Sequence, residues 1–323
     1  MQAEHMEKVF LTERIHDDAV AYLKERFQVV QGTSTEATEI IRQAQGCAGI
    51  LIRSARITAE VMDAIPTLKV IAKHGMGVDN IDVTHATEKG IQVVNAPYSN
   101  MNAVAEHIVT LMLALSKRIV RMDKLTRQGQ FTQRNTYKTT ELKDATVGII
   151  GLGKISRLVV KKFSGFEMHI IASDPFVKQK DVGDLPVTMV SADEVYRTAD
   201  FVIVHTSLFP STFHLVGAQQ FRMMKPTAYL INAARGPIID EVALVEALDA
   251  GEIAGAGLDV FEQEPPAQDN PLFAMDNVIV SPHNAALSDG ALRAMAMDSA
   301  LGITEYLTGK PVTYPVNRAV LER

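Results

Sequence analysis

Three segments in the second half of the chain carry ionisable side chains just past a short apolar run. Arg235 follows Tyr229–Asn232, Asp259 and Glu264 follow Gly255–Leu258, and His283 follows Val278–Val280. Apolar runs of about four residues are typical of parallel strands buried on both faces. In open α/β sheets, ligands bind beyond the carboxyl ends of the strands. A cation, carboxylates and a histidine gathered there could each have a role in hydride chemistry.

A fourth segment points to the source of the hydride. Thr146–Ile150 runs directly into Gly151-Leu152-Gly153-Lys154-Ile155-Ser156, and a helical pattern follows near Leu158–Phe163. Asp174 ends the next apolar run, 21 positions after Gly153. This is a dinucleotide-binding arrangement: the first glycine permits the tight turn, and the second lets the backbone approach a diphosphate seated on the helix N-terminus. Ser156 stands where the motif has its third glycine, and a small hydroxyl residue still permits close helix–sheet packing. Asp174 would accept hydrogen bonds from the two ribose hydroxyls of NAD. Against a 2′-phosphate it would cost on the order of 4 kcal/mol at about 4 Å and an effective dielectric of about 20. The expected cofactor is therefore NAD rather than NADP.

The elements that must position these groups alternate short Val/Ile-rich runs with longer amphipathic stretches, which predicts βαβ units and a doubly wound α/β fold. In the first part, strands are expected at Val9–Leu11, Val29–Val30, Gly49–Ile52, Val70–Ala72 and Gln92–Val94, with helices at His16–Arg26 and Ala37–Ala44. One long helix is expected from Asn100 to Arg127, then a polar stretch over Gln128–Lys143. A second series of strands runs from Val147–Ile150 to Val278–Val280, and a last helix covers Gly290–Leu307. That helix has no sheet of its own beside it, so it is expected to return to the first domain. The reading is two doubly wound, Rossmann-like parallel-sheet domains: a discontinuous, flavodoxin-like substrate domain of residues 1–99 plus 285–323, and an NAD-binding domain of residues 100–284. The cleft between them is the expected site.

Composition narrows the partners. The 323 residues suit about two domains. Apolar residues are 47% and charged residues 22% of the chain, which excludes a disordered or fibrous protein. A net charge of −6 offers no basic footprint for nucleic acid or anionic lipid. A single cysteine, Cys47, can form neither an internal disulfide nor a CxxC metal site, and it fits a reducing compartment. The polar start, Met1–Lys8, predicts no secretory leader, and no apolar window suits a membrane span. A cytoplasmic protein acting on a small molecule is expected.

From about Gly148 to Leu287 the sequence closely resembles the D-isomer-specific 2-hydroxyacid dehydrogenases, the family of phosphoglycerate dehydrogenase and glyoxylate/hydroxypyruvate reductase. The resemblance extends over nearly the whole chain through Lys73-His74-Gly75-Met76-Gly77-Val78-Asp79-Asn80-Ile81-Asp82 and Asn95-Ala96-Pro97…Ala105-Glu106. It implies that Arg235 binds the substrate carboxylate and polarises the 2-oxo group, a task suited to a planar guanidinium. It implies that His283 is the general acid, Glu264 its partner, and Asp259 the holder of the nicotinamide carboxamide. Leu152, Lys154, Ile155, Thr206 and Ala233 join Gly151, Gly153 and Asp174 as implied cofactor contacts. Arg53, Ser54, Met76 and Gly77 are the implied substrate contacts, and residues 101–143 the implied two-fold dimer element.

Two segments depart from the family. Ser207-Leu208-Phe209-Pro210 replaces the commoner Pro-Leu-Thr pattern, and Asn284 follows His283 where many relatives carry an apolar residue. The same fold also serves NAD-sensing corepressors, which makes a binding module the alternative to an enzyme. A formate dehydrogenase would typically carry glutamine in place of Glu264. The chain ends at Arg323, so the C-terminal regulatory domains of long phosphoglycerate dehydrogenases are not expected. Hydroxypyruvate, glyoxylate and phosphohydroxypyruvate all remain open as the 2-oxo acid.

Overall fold

The computed structural model describes residues Met6–Glu322; Met1–His5, and with them most of the polar N-terminal stretch read above, lie outside the described residues. The chain divides into two compact units. One is formed by the residues up to Asn100 with those from Leu287 onward, the other by Met101–Ala286.

In the first unit, β1 (Lys8–Leu11), β2 (Gln28–Gln31), β3 (Cys47–Ile52), β4 (Val70–Lys73) and β5 (Gln92–Val94) form one parallel sheet in the order β2-β1-β3-β4-β5. That is the flavodoxin-like order, with its switch point between β1 and β3. Side chains alternate between two cores. Phe10, Ile50, Ile52 and Ile71 enter one, while Val9, Leu11, Leu51 and Val70 enter the other. Burial on both faces is why these strands read as unbroken apolar runs. The connecting helices α1 (Asp17–Lys24), α2 (Ala37–Gln43), α3 (Ala59–Asp63) and α4 (Val83–Glu88) start at local caps where the sequence provides them. The Thr58 and Asp82 side chains accept from backbone N–H groups of α3 and α4.

The second unit opens with α5 (Met101–Ser116) and α6 (Ile119–Arg127). The single helix expected over Asn100–Arg127 is thus two, because Arg118 adopts a left-handed conformation at φ 49°. The reason lies in burial. The α5 stripe Val104, Ile108, Leu111 and Leu115 packs into the core, whereas α6 buries none of its residues. Past Ser116 the chain buries no further helical residue that would hold it to the original axis.

Seven strands follow: β6 (Thr146–Ile150), β7 (His169–Ser173), β8 (Thr188–Met189), β9 (Phe201–Val204), β10 (Tyr229–Asn232), β11 (Gly255–Leu258) and β12 (Val278–Val280). They form one parallel sheet in the order β12-β11-β10-β9-β6-β7-β8, a Rossmann order extended by one strand and reversing between β6 and β9. Helices α7 (Lys154–Lys162), α8 (Ala192–Thr198), α9 (Ala218–Met223) and α10 (Glu241–Asp249) complete the crossovers. The last helix, α11 (Asp289–Leu307), packs on α1 and β4 of the first unit, as its lack of a neighbouring strand in sequence implied. Among the described residues, no helix is long and apolar enough to cross a membrane.

Candidate active site

The glycine loop sits at the switch point of the second sheet. Gly151 has φ +92°, and a Cβ there would lie 2.6 Å from the carbonyl oxygen of His205 and 2.7 Å from the Thr206 methyl. Only glycine lets the ends of β6 and β9 approach this closely. Gly153 faces open space and is the N-cap of α7, where it supplies no side-chain cap. The helix starts at Lys154, four residues before the expected pattern, which brings its positive end onto the loop.

Ser156 explains its own departure from the motif: it is buried, and its hydroxyl donates to the Gly151 carbonyl at 2.6 Å, tying helix to turn. Asp174 builds the loop as well as facing it. Its Oδ2 accepts the Leu152 N–H at 2.9 Å and its Oδ1 the Phe176 N–H at 2.8 Å.

Two side-chain atoms beside this loop, Thr206 Oγ1 and His205 Nδ1, are buried with no hydrogen-bond partner among the described residues. Loss of solvent, with the Arg235 charge adding to it, pushes the His205 ring down to about 4. A glycine turn at a helix N-terminus and two orphaned polar atoms beside it together fit a nicotinamide dinucleotide.

Beyond β11 and β12, two of the ionisable groups meet. His283 Nδ1 lies 2.7 Å from Glu264 Oε2, and Glu264 Oε1 accepts the Phe261 N–H at 3.1 Å. The two side chains are 47% and 36% exposed, so this pair is open to a ligand. Partial burial pushes the Glu264 carboxyl up. The His283 hydrogen bond and charge, the Phe261 N–H and the charge of Arg235 outweigh it, and the group is held below the usual carboxylate range.

The buried Asn232 shapes the turn that carries Ala233 and Arg235. Its side chain accepts from the Ala234 N–H at 3.0 Å and donates to the Arg235 carbonyl at 2.9 Å. At Gly236 a Cβ would lie 1.8 Å from the carbonyl oxygen of Phe261. Two backbones therefore touch there, and the contact brings the Arg235 turn against the segment leading to Glu264.

Asp259 is wholly buried. Its Oδ1 accepts from the Ser281 hydroxyl at 2.6 Å and the Asn284 N–H at 2.9 Å, and its Oδ2 accepts the Ala285 N–H at 2.9 Å. Most of this carboxylate is thus spent on the loop around His283, and one acceptor position on Oδ2 is left for anything else.

In the first unit, the loop after β3 is held by a residue that sequence reasoning missed. Glu13, just past β1, accepts from the N–H groups of Arg53 and Ser54 at 3.0 and 2.9 Å and from the Ser54 hydroxyl at 2.6 Å. Partial burial pushes Glu13 up, but the Ser54 and Arg53 donors outweigh it and hold it low. A carboxylate at a strand end beside the switch point was the signal available for it. Met76 is 43% exposed on the loop after β4. That loop is tied down by His74, whose Nε2–H donates to the Leu292 carbonyl at 3.2 Å, and by the Asn95 side chain, which donates to the Met76 carbonyl at 2.7 Å.

Comparison with known proteins identifies the family. A family model described as "D-isomer specific 2-hydroxyacid dehydrogenase, NAD binding domain" matches residues 109–285. The chain is 39% identical to a D-3-phosphoglycerate dehydrogenase of Archaeoglobus fulgidus over 98% of its length, and it spans only 60% of that longer relative. It is 40% identical to a glyoxylate reductase of Thermofilum pendens, covering 98% of this chain and 96% of that one. A solved structure of an NADPH-dependent glyoxylate/hydroxypyruvate reductase from Sinorhizobium meliloti, in complex with NADP and malonate, matches with a TM-score of 0.86 at 28% identity, over 97% of this chain and 98% of that one. With the model matched over more than half its length, this chain belongs to the D-isomer specific 2-hydroxyacid dehydrogenase family.

Proposed function

We propose that the protein is an NAD-dependent dehydrogenase that interconverts a small 2-hydroxy acid and its 2-oxo acid. The observation that carries this reading is the His283–Glu264 pair at 2.7 Å, exposed beyond the strand ends that also carry Arg235. With Nδ1 engaged by the carboxylate, Nε2 is the ring nitrogen available to a substrate oxygen. His283 then gives a proton to the carbonyl oxygen in reduction and removes the hydroxyl proton in oxidation. Glu264 fixes the ring through its contact with Nδ1. Arg235 holds the substrate carboxylate through its planar donors. The nicotinamide, when bound, supplies or accepts the hydride at C2.

Gly151, Leu152, Gly153, Lys154 and Ile155 hold the diphosphate in this reading, and Asp174 holds the ribose. Thr206 and Ala233 contact the cofactor, and Asp259 takes the carboxamide on the acceptor position its Oδ2 has left. The unit rich in these groups is the NAD-binding domain, and the discontinuous unit is the substrate domain. Arg53, Ser54, Met76 and Gly77 of the latter read the rest of the acid. The relatives' names favour a phosphoglycerate, glyoxylate or hydroxypyruvate type. Residues 101–143, with Ile119, Val120 and Phe131 exposed, are assigned to a homodimer contact, and the protein to the cytoplasm.

The test is NADH oxidation against a panel of 2-oxo acids, wild type beside His283→Ala. Turnover is expected to fall by about 10²- to 10⁴-fold in the variant. A variant that keeps the wild-type rate removes His283 from the mechanism. NADH binding with no turnover by the wild type on any acid points instead to an NAD-sensing module.

A further inference from the structure

His283 itself sits in a conformation that needs support. Its φ is +52°, in the left-handed region that a non-glycine residue occupies at a cost. Besides a bond from the His283 N–H to the Ser281 carbonyl at 3.0 Å, the bonds around it converge on one residue. The His283 N–H donates to the Asp259 carbonyl at 2.7 Å, and the next two N–H groups, Asn284 and Ala285, donate to the Asp259 carboxylate at 2.9 Å each. The Asp259 N–H in turn donates to the Asn232 carbonyl at 3.0 Å, which links this hub to the turn before Arg235. The two amides that follow His283 therefore depend on where the Asp259 carboxylate points.

That orientation is set from outside the loop. The Ser281 hydroxyl donates to Asp259 Oδ1 at 2.6 Å, and a hydroxyl has a single hydrogen to give. Ser281 Oγ is also 2.9 Å from His107 Nε2, so at that contact the serine accepts and His107 Nε2 carries the proton. The same nitrogen lies 3.5 Å from Asp259 Oδ1, which sets a donor beside a wholly buried carboxylate. His107 belongs to α5, on the face that packs against the sheet, and its side chain is only 21% exposed.

We infer that His107 is a positioning residue. By donating to Ser281 it commits the serine hydroxyl to Asp259, and the carboxylate so fixed holds Asn284 and Ala285 and keeps His283 in its left-handed backbone. Where catalysis is concerned this rests on the dehydrogenase reading above; the ordering of the loop does not.

The test compares His107→Leu, which removes the donor, with His107→Gln, which restores an N–H at a similar reach. Two readouts are taken on the full chain: amide hydrogen exchange at Asn284 and Ala285, and kcat against KM for the best 2-oxo acid. In His107→Leu, exchange at both amides is expected to accelerate at least about tenfold, and kcat to fall about tenfold with KM for the acid within about twofold. His107→Gln is expected to return both readouts to within about threefold of wild type. Combining His107→Leu with Ser281→Ala should add little to either single change, because both break one chain of bonds.

Wild-type exchange in His107→Leu overturns the inference. So does equal damage in the Leu and Gln variants, which would make the ring a packing element only. Failure of the dehydrogenase reading is recognised separately, by His283→Ala retaining turnover while the exchange pattern still follows His107.

Discussion

Asp174 carries two loads in one side chain. Its carboxylate accepts the Leu152 and Phe176 N–H groups, which sets the glycine loop and the following turn, and in the proposed function it also holds the ribose. Replacing it with serine should therefore weaken NADH use and relax discrimination against NADPH together. The ratio of kcat/KM for NADH over NADPH is expected to fall at least about tenfold, since a like-charge contact of on the order of 4 kcal/mol is removed before solvent screening is allowed for. Steady-state kinetics with both cofactors would check this, and an unchanged ratio would remove Asp174 from cofactor choice. The types of the candidate site residues were readable at this scale, as were their places at strand ends. Their bonding was not. Ser156 reads as a lost glycine until its hydroxyl is seen on the Gly151 carbonyl, and nothing local to Asp259 shows that its carboxylate also holds the loop around His283.

At the scale of elements, close approaches between backbones decide what the strand ends can carry. Gly236 lies against the Phe261–Glu262 backbone with no room for a methyl group. Gly236→Ala is expected to cost at least about 3 kcal/mol in urea unfolding, because neither backbone can yield as a flexible side chain would. Gly290, in the first turn of α11, has no atom within 4 Å of a built Cβ. There the same substitution should be neutral or stabilise by up to about 1 kcal/mol. Equal effects at the two positions would contradict the packing described. The strands were legible because a strand buried on both faces leaves a run of apolar residues. The break at Arg118 was not, since the local pattern from Met101 onward suits helix on both sides of it, and only the end of the core beneath α5 explains why it stops.

Across the molecule, the C-terminal helix secures the first unit. His74 on the loop after β4 donates to the Leu292 carbonyl in α11, and the Ser99 hydroxyl donates to Asp298 of the same helix. Burial, with the Arg53 charge adding to it, pushes the His74 ring down to about 4. The folded chain thus binds fewer protons than the unfolded chain between the usual histidine value near 6.5 and about 4. Stability is then whole above pH ~6.5 and falls as the pH drops towards about 4. His205, pushed to about 4 as well, adds loss of the same sign. His74→Gln isolates the first contribution. Its stability should decline less than that of wild type across this window, by roughly 3 kcal/mol in urea titrations at the two ends. Parallel pH profiles for the two proteins would show that His74 is not held neutral.

The sequence by itself determined the alternation of strands and helices, the glycine loop, and the order in which arginine, glutamate and histidine arrive at strand ends. Those features are written in local periodicity and in the backbone freedom of single residues, which neighbours a few positions away suffice to reveal. Only the tertiary structure decided what holds them. Glu13 supports Ser54 across 41 positions, His107 reaches Ser281 across 174, and His74 reaches Leu292 across 218. Such bonds depend on distance in space and on which atom has a hydrogen left to donate, and neither leaves a period in the chain.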